Sequence, residues 1–305
     1  MISWNTLRNC RHVSEGGESS RGIVLAELLT KKVVIKSSQE PAREMYLTRL
    51  CRWLGVAAPA VRFVVAGSDE YDQMSRAVRG LTLRPVVLVM EYVEGVTMSR
   101  IPAAASSAFF SCESPLAKPV LRAVGRIMAL DVFTNNWDRI PLVHDNGGNF
   151  GNVILQQPRE GGAVLVAIDN AMTGIRREYG GRRNAMYDAY LGKVRRLCAQ
   201  LAESGKKSEC DLITQVRRVI SHRTPAKLGA KEGLALQWGV AEMLCRIARF
   251  DRLEEEKRIV GEMMHSDAWF LTDLERVDLV FLTDVQAVIQ EYEERLRKEY
   301  NIVSV

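Results

Sequence analysis

The sequence predicts an α+β protein of two unequal lobes, a small β-rich N-terminal lobe over residues 1–93 and a larger, mainly helical lobe over residues 94–305. Three observations carry that reading. Before residue 94 the apolar residues come in short aliphatic or β-branched runs, whereas from Pro119 onward they recur at helical spacing. A chain of 305 residues with 47% apolar side chains can bury one large core or two smaller ones. The change of character falls at Glu94-Gly95, a polar turn after an apolar strand, and a joint of that kind suits a ligand held between lobes.

Taken in order, Gly22–Leu29 and Lys32–Lys36 read as strands, preceded by the small, polar stretch Glu15–Arg21. Ser37 and Ser38 offer N-caps and Pro41 suits a first helical turn. A helix is therefore expected to run to about Leu54, with Leu47, Leu50, Cys51 and Leu54 on one face and Gly55 as its stop. Val61–Val65 and Pro85–Tyr92 read as further strands. The Ala/Ser/Pro-rich stretch Ser99–Pro119 is the best candidate loop, with room for a short helix at Ala103–Phe110. In the next helix Val120, Leu121, Val124, Ile127, Met128 and Leu130 leave little polar face, which assigns it to the centre of the second lobe. Two short strands follow, Asn152–Gln156 and Ala163–Ile168. A final helix is expected near Asp284–Glu299, from Val285, Val288, Ile289, Tyr292 and Leu296.

Composition removes several function classes. The net charge of +5, from 42 basic and 37 acidic residues, is mild, and the arginine and lysine pairs are spaced out like solvated faces. No aromatic stacking pattern accompanies them, so no nucleic-acid partner is expected. Six cysteines lie far apart without a CxxC pair, and the four histidines lack metal-ligand spacing. The stretch Met1–Arg11 has no apolar signal core, and no apolar run approaches the roughly 20 residues that span a bilayer. A reduced, cytoplasmic setting without membrane insertion is expected. Oligomeric state leaves no trace in the sequence.

Four features fall in the order that phosphoryl transfer requires. Lys36 ends an apolar strand, where a lysine can neutralise α- and β-phosphates, and a carboxylate must hold it. Glu44 shares the inward face of the next helix with Leu47 and Cys51; Glu40, in the first turn, is the alternative. Second, the strand Val86–Met90 runs into Glu91-Tyr92-Val93-Glu94-Gly95, whose backbone can meet an adenine edge. Third, Asp131-x-x-x-x-Asn136-Trp137-Asp138-Arg139 leaves the buried helix. Asp138 is placed to orient or accept the attacking hydroxyl's proton. Arg139 either stabilises that loop or pairs with a phosphate, while Asp131 and Asn136 read as braces of the loop. Fourth, Asn152 and Asp169 open and close the two short strands and together make a hard-oxygen set suited to Mg²⁺.

With these residues in hand, the sequence resembles the actin-fragmin kinase catalytic domain within the protein-kinase-like superfamily. The resemblance is carried by Leu130 to Pro141 and then Asp145-Asn146-Gly147-Gly148-Asn149-Phe150-Gly151-Asn152; phosphoinositide kinases share the shorter N-x-D-R element. It implies ATP and Mg²⁺ as cofactors, the two-lobed kinase-like fold, catalysis by Asp138, metal binding by Asn152 and Asp169, and the Lys36–Glu44 pair. It also implies adenine contacts from the backbone of Glu91 and Val93, with Met90 at the back of the pocket. The His-Arg-Asp, Asp-Phe-Gly and Ala-Pro-Glu triplets of conventional protein kinases are missing. Asn152 lies 14 positions after Asp138, against about five in the conventional catalytic loop. Asn149 therefore stays open as the metal ligand. Gly16–Gly22, with Gly17, Ser19 and Ser20, is either a phosphate loop or a plain flexible turn.

The implied activity is phosphorylation of Ser or Thr on a protein, with actin a candidate substrate. A lipid or small-molecule kinase and a pseudokinase binding module are the alternatives. Arg176, Arg177, Arg182 and Arg183, following Asp169, are expected to dock an acidic protein surface.

Overall fold

The computed structural model describes residues 2, 4–12, 23–38, 40–78, 85–157, 162–251 and 278–303. Its N-terminal part is an antiparallel sheet in the order β1-β2-β3-β5-β4, from β1 (Leu7–His12), β2 (Ile23–Leu28), β3 (Lys32–Lys36), β4 (Val61–Val65) and β5 (Val86–Glu91). Alternation along these strands gives the sheet two different faces. On one, Val24, Ala26, Val33, Ile35, Val87 and Val89 close a core with Trp4 and with Met74 of α2 (Asp69–Ala77). On the other, the register pairs Lys36 with Leu88 and Val34 with Met90, and α1 (Pro41–Trp53) covers this side with Met45. The pleat thus delivers Lys36 to the face that α1 overlies.

Beyond β5, a three-stranded sheet β6-β7-β8 is built from β6 (Val96–Thr97), β7 (Val153–Gln156) and β8 (Val164–Ala167). Between its first two strands run α3 (Ala103–Phe110) and α4 (Ala117–Thr134). Helix α4 is buried nearly all round, as its apolar periodicity requires. A small hairpin, β9 (Glu178–Tyr179) and β10 (Arg182–Arg183), leads to α5 (Ala185–Ser204), α6 (Asp211–Arg223) and α7 (Ala230–Arg249). The described chain then closes with α8 (Asp278–Gln290) and α9 (Glu293–Tyr300). The arrangement is α+β, a sheet-rich N-terminal region followed by a helical one.

Helices α4 and α7 form the spine of the helical part. They run side by side in the same direction, Arg122 meeting Trp238 and Arg126 meeting Glu242. Two glycines set their separation: a Cβ on Gly125 would lie 2.1 Å from the Leu236 carbonyl oxygen, and one on Gly239 would lie 2.1 Å from that of Arg122.

Several sequence expectations are corrected. The N-cap of α1 is Glu40 rather than Ser37 or Ser38; Pro41 takes the first helical position, and Ser38 Oγ accepts from the Glu40 amide at 3.1 Å. Strand β1 was not anticipated, because Leu-Arg-Asn-Cys-Arg-His has no apolar alternation to mark it. Helix α2 had a legible start in Ser68, whose Oγ accepts from the Tyr71 amide at 3.2 Å, followed by an acidic first turn. The Ser99–Pro119 stretch is largely helical, holding α3 and the first turn of α4. The single last helix is two helices, broken at Glu291-Tyr292, where Tyr292 takes φ −111° and ψ −7°. The break has no Gly or Pro signal; Gln290 donates to the Ala248 carbonyl at 2.8 Å and Glu293 accepts from Arg249 Nε at 2.6 Å, which turns α9 onto α7. Asn152 and Asp169 lie just outside β7 and β8 rather than at their first and last positions.

Replacing Gly125 with Ala should force α4 and α7 apart, at a cost of about 1–3 kcal/mol for overpacking against backbone. Urea denaturation followed by circular dichroism measures it; an unchanged midpoint would show that the glycine contact does not set the helix spacing.

Candidate active site

The site begins with a buried ion pair. Arg139 is 1% exposed and Asp131, on the last turns of α4, is 0% exposed. Arg139 Nε donates to both Asp131 carboxylate oxygens at 3.1 Å, and Nη2 donates to Oδ1 at 2.5 Å. Its Nη1 donates to Asn170 Oδ1 at 2.7 Å and to the Ile168 carbonyl at 3.3 Å. Burial opposes the charge, but Asp131 outweighs it and holds the guanidinium above the ordinary arginine value. Arg139 has no donor facing a nucleotide. Of the two roles left open for it, the structure gives it the bracing one, and its assignment among the catalytic residues is corrected to a positioning residue.

Asn170 extends the brace to the N-terminal part. It sits at 4% exposure, its Nδ2 donates to Thr48 Oγ1 at 3.2 Å, and its Oδ1 accepts from Cys51 Sγ at 3.2 Å. Burial pushes the Cys51 thiol up to about 12, so it stays protonated and donates. One network therefore links α1, the segment after β8, and the loop after α4. Asn170 is a residue of the site that the sequence does not announce, because no local pattern marks its burial.

The loop after α4 opens with Asn135 in the left-handed region at φ 51°, its Nδ2 tied to the Thr173 carbonyl at 2.7 Å. Asn136 donates to Asp131 Oδ1 at 3.2 Å and accepts the Asp138 amide at 3.2 Å, fixing the backbone at Asp138. Asp138 is half-buried, and its Oδ2 accepts from Asn152 Nδ2 at 3.1 Å. Burial and then the nearby Asp169 charge raise its pKa, while the Asn149 and Asn152 amides pull it down.

Asn152 leaves its Oδ1 with one long contact, 3.4 Å from Asn149 Nδ2. Asn149 Oδ1 instead caps a 3₁₀ turn, accepting from the Gly151 amide at 3.1 Å. Of the two asparagines, Asn152 therefore has the freer oxygen. The turn Asp145–Gly148 that lengthens this loop is itself pinned, with Asn146 donating to the Trp137 carbonyl at 2.7 Å.

Lys36 Nζ donates to Glu44 Oε1 at 2.7 Å and also to Asp169 Oδ1. Glu44 is the partner; Glu40 instead pairs with Arg43 at 2.6 Å. Burial alone would lower the Lys36 pKa, but Glu44 and Asp169 outweigh it and raise it. Asp169 stands half-exposed at φ 51°, a conformation uncommon for a residue with a Cβ and frequent at functional sites. The structure thus brings together Lys36, Glu44 and Asp169 on one side and Asp138 and Asn152 on the other, with the Asp138 and Asp169 charges within mutual influence.

Other candidate residues distribute differently. Gly17, Ser19 and Ser20 lie outside the described residues. Met90 is 7% exposed and packs with Met45 and Leu88. The Glu91 amide donates to the Ala60 carbonyl at 2.8 Å, so a ligand edge would meet the Glu91 carbonyl and the Val93 amide instead. A cavity of about 920 Å³ opens here, lined by Met90 and Glu91 but not by Lys36, Asp138 or Asp169. The arginines after Asp169 are only partly free: Arg177 donates to Asp284 at 2.7 and 2.5 Å, and Arg183 to Asp188 at 2.9, 3.0 and 2.6 Å. That internal pairing corrects the expectation of a four-arginine docking patch. Among the described residues no cluster of three His, Cys, Asp or Glu residues forms a metal cage, and no helix is long and apolar enough to cross a membrane.

Breaking the buried pair leaves an uncompensated charge. Arg139→Met should cost about 3–5 kcal/mol of stability, and adding Asp131→Leu should recover a large part of it. Denaturant midpoints of the single and double variants test this; equal losses in both would mean that the pair is not the origin of the cost.

Residues 1–244 match the family of actin-fragmin kinase catalytic domains. A candidate actin-fragmin kinase of Dictyostelium discoideum is 25% identical over 314 residues, spanning 93% of this chain and 72% of the relative. Among solved structures, the Helicobacter pylori proinflammatory kinase CtkA covers 98% of this chain and 97% of its own, at 11% identity and a TM-score of 0.37. A thermostable mutant of aminoglycoside phosphotransferase APH(4)-Ia, with ADP and hygromycin B, covers 94% of this chain and 95% of its own at 11% identity and a TM-score of 0.32. Likenesses that distant add nothing to the assignment, which rests on the sequence match across most of the chain. On that match, the chain belongs to the actin-fragmin kinase catalytic family and is a phosphotransferase.

Proposed function

We propose that the chain is an ATP- and Mg²⁺-dependent kinase that transfers the γ-phosphate to a Ser or Thr hydroxyl of a protein, with actin the first acceptor to test. One observation carries the reading: Asp169, which shares the Lys36 ammonium with Glu44, lies close enough to Asp138, itself hydrogen-bonded to Asn152, for its charge to act on it. We take residues 1–93 as the nucleotide-binding lobe and 94–305 as the lobe that carries the catalytic loop. In a cytoplasmic setting the nucleotide would be plentiful.

The charges fit a metal-bound nucleotide. Two carboxylates, Glu44 and Asp169, share the one Lys36 ammonium and Asp138 adds negative charge near Asp169, so a bare triphosphate would meet net repulsion unless a divalent cation came with it. Asp169 and the Asn152 side-chain oxygen Oδ1 would hold that cation, two protein ligands being the usual number for a magnesium ion on a triphosphate. When bound, Mg²⁺ would supply positive charge against the phosphate oxygens. Lys36, held by Glu44, meets the α- and β-phosphates, and Asp138 receives the proton of the attacking hydroxyl. The Asn152 hydrogen bond aims the Asp138 carboxylate, and the Asn136 bond fixes its backbone.

A protein acceptor is favoured by exposed side chains beside Asp138 in the chain and after Asp169. Trp137, its neighbour, is 51% exposed, and Tyr179 and Met186 beyond Asp169 are 78% and 71% exposed. Exposed large apolar side chains are what folded-protein interfaces use, whereas a lipid headgroup or sugar phosphate would call for free cations. Two of the four arginines that would provide them are paired internally.

Labelled ATP, purified actin and phosphoinositide vesicles, each incubated with the protein, test the reading. Label on a Ser or Thr of actin is expected; label on the vesicles alone would make it a lipid kinase, and none with any acceptor a binding module. Asp138→Asn should lower transfer by about 10³-fold or more while nucleotide affinity changes little, because this group meets the hydroxyl. The acid limb of kcat/KM should lie above the ordinary aspartate range, since Asp138 must be ionised to act and its pKa is raised. An unchanged turnover in Asp138→Asn removes the assignment. Trp137→Ala should raise KM for a folded protein acceptor by about 10-fold and leave kcat nearly unchanged, the signature of lost acceptor binding. Steady-state kinetics at varied acceptor decides it.

A further inference from the structure

Away from the cleft, a second cavity of about 540 Å³ lies in the groove between the first halves of α4 and α7, closed by the C-terminal end of α9. Four cations line it: Lys118 and Arg122 from α4, Lys206 from the turn after α5, and Lys231 from α7. Trp238 and Asn301 complete the wall, and no carboxylate lines it. Because α4 and α7 run in the same direction, Lys118 and Lys231 are delivered to the same end of the groove.

These cations lack the partners that surface lysines and arginines ordinarily find. Among the described residues, Lys118, Lys206, Lys231 and Arg122 form no ion pair. The neighbouring carboxylates are engaged elsewhere. Glu232 accepts from the Cys112 and Gly229 amides at 2.8 and 2.9 Å, and Glu242 accepts from Arg126 at 3.0 and 3.2 Å. Arg122 lies over the Trp238 ring, 3.0 Å from its centroid, and its buried Nε has no hydrogen-bond partner. An unsatisfied buried donor on a charged group is costly, and burial lowers the Arg122 pKa accordingly. Lys206 Nζ stands 2.6 Å from the Asn301 amide, which can accept from it when its oxygen is turned inward. That contact holds the ammonium at the rim without neutralising it.

We propose that this cavity is a binding site for a small soluble anion carrying several phosphate groups, separate from the phosphotransfer cleft. Four cations lining one cavity, none of them ion-paired among the described residues, call for a ligand of comparable negative charge in a compact volume. Guanidinium and ammonium donors are the side chains that recognise phosphate. The concavity favours a molecule that enters the groove over an extended acidic segment lying across it. Filling the cavity would place phosphate oxygens among the lysines and would relieve the mutual repulsion of the four cations.

Inorganic tripolyphosphate, titrated calorimetrically into the full chain at low ionic strength, tests the site. One equivalent is expected to survive in Lys36→Ala, which disables the cleft, and to weaken by roughly 10-fold for each cation removed in Lys118→Ala and Lys231→Ala. The tryptophan fluorescence change on binding should disappear in Trp238→Phe, which locates the ligand. Lys118→Ala and Lys231→Ala should keep the wild-type melting temperature and basal phosphotransfer, showing that the loss is of binding and not of folding. Vesicles containing phosphatidylinositol bisphosphate form the second arm. Binding to vesicles without binding to free tripolyphosphate would assign the surface to a lipid headgroup and overturn the soluble ligand. Binding lost in Lys36→Ala, unchanged in the double lysine variant, or absent altogether would overturn the site.

Discussion

Arg139 is a guanidinium with almost no access to water, and the loop after α4, the end of α4 and the segment after β8 meet where that charge is answered. Asp131 neutralises it from the last turns of α4, Ile168 and Asn170 take its remaining donors from the segment after β8, and Asn136 closes the loop against Asp131. A buried ion pair of this kind is weak evidence for stability, since desolvation consumes most of the Coulomb gain. Its value lies in geometry. A charge that can be satisfied only by one arrangement of three chain segments fixes those segments relative to one another.

Two consequences reach the reacting groups. On one side, the brace holds the backbone entering Asp138, while Asn152 orients its carboxylate. On the other, Asn170 fastens the residue after Asp169 to Thr48 and Cys51 on α1, the same helix that carries Glu44. Lys36, Asp138 and Asp169 belong to different parts of the chain, and a common buried network gives them one frame. Asp169 keeps a left-handed backbone within that frame, a conformation whose cost the surrounding hydrogen bonds absorb.

The helical region contributes in another way. The close approach of α4 and α7 through Gly125 and Gly239 makes a rigid support for the loop that carries Asp138. The same parallel packing creates a groove whose far end gathers four cations. Rigid spacing and an unneutralised basic pocket are thus products of a single helix pair. Binding in that groove would bear on α4, whose C-terminal end leads into the loop that carries Asp138.

The sequence by itself determined the order of the elements and the chemistry-bearing residue types. Lys36 at the end of an apolar run, Glu44 on the inward side of a helix, and Asp138 after a helix with no polar face follow from period and burial, which are local properties of the chain. The stretch from Leu130 to Asn152 was specific enough to point to the family. The tertiary structure decided what depends on partners distant in sequence. It turned Arg139 from a possible phosphate ligand into a brace, because its donors meet residues 8 and 31 positions away. It drew Asn170 into the core, broke the last helix at Glu291-Tyr292, and spent Arg177 on Asp284, 107 residues later. A charged or amide side chain in a sequence states what it can bond but not which bond it will make, and that choice exists only once the chain has brought its candidates together.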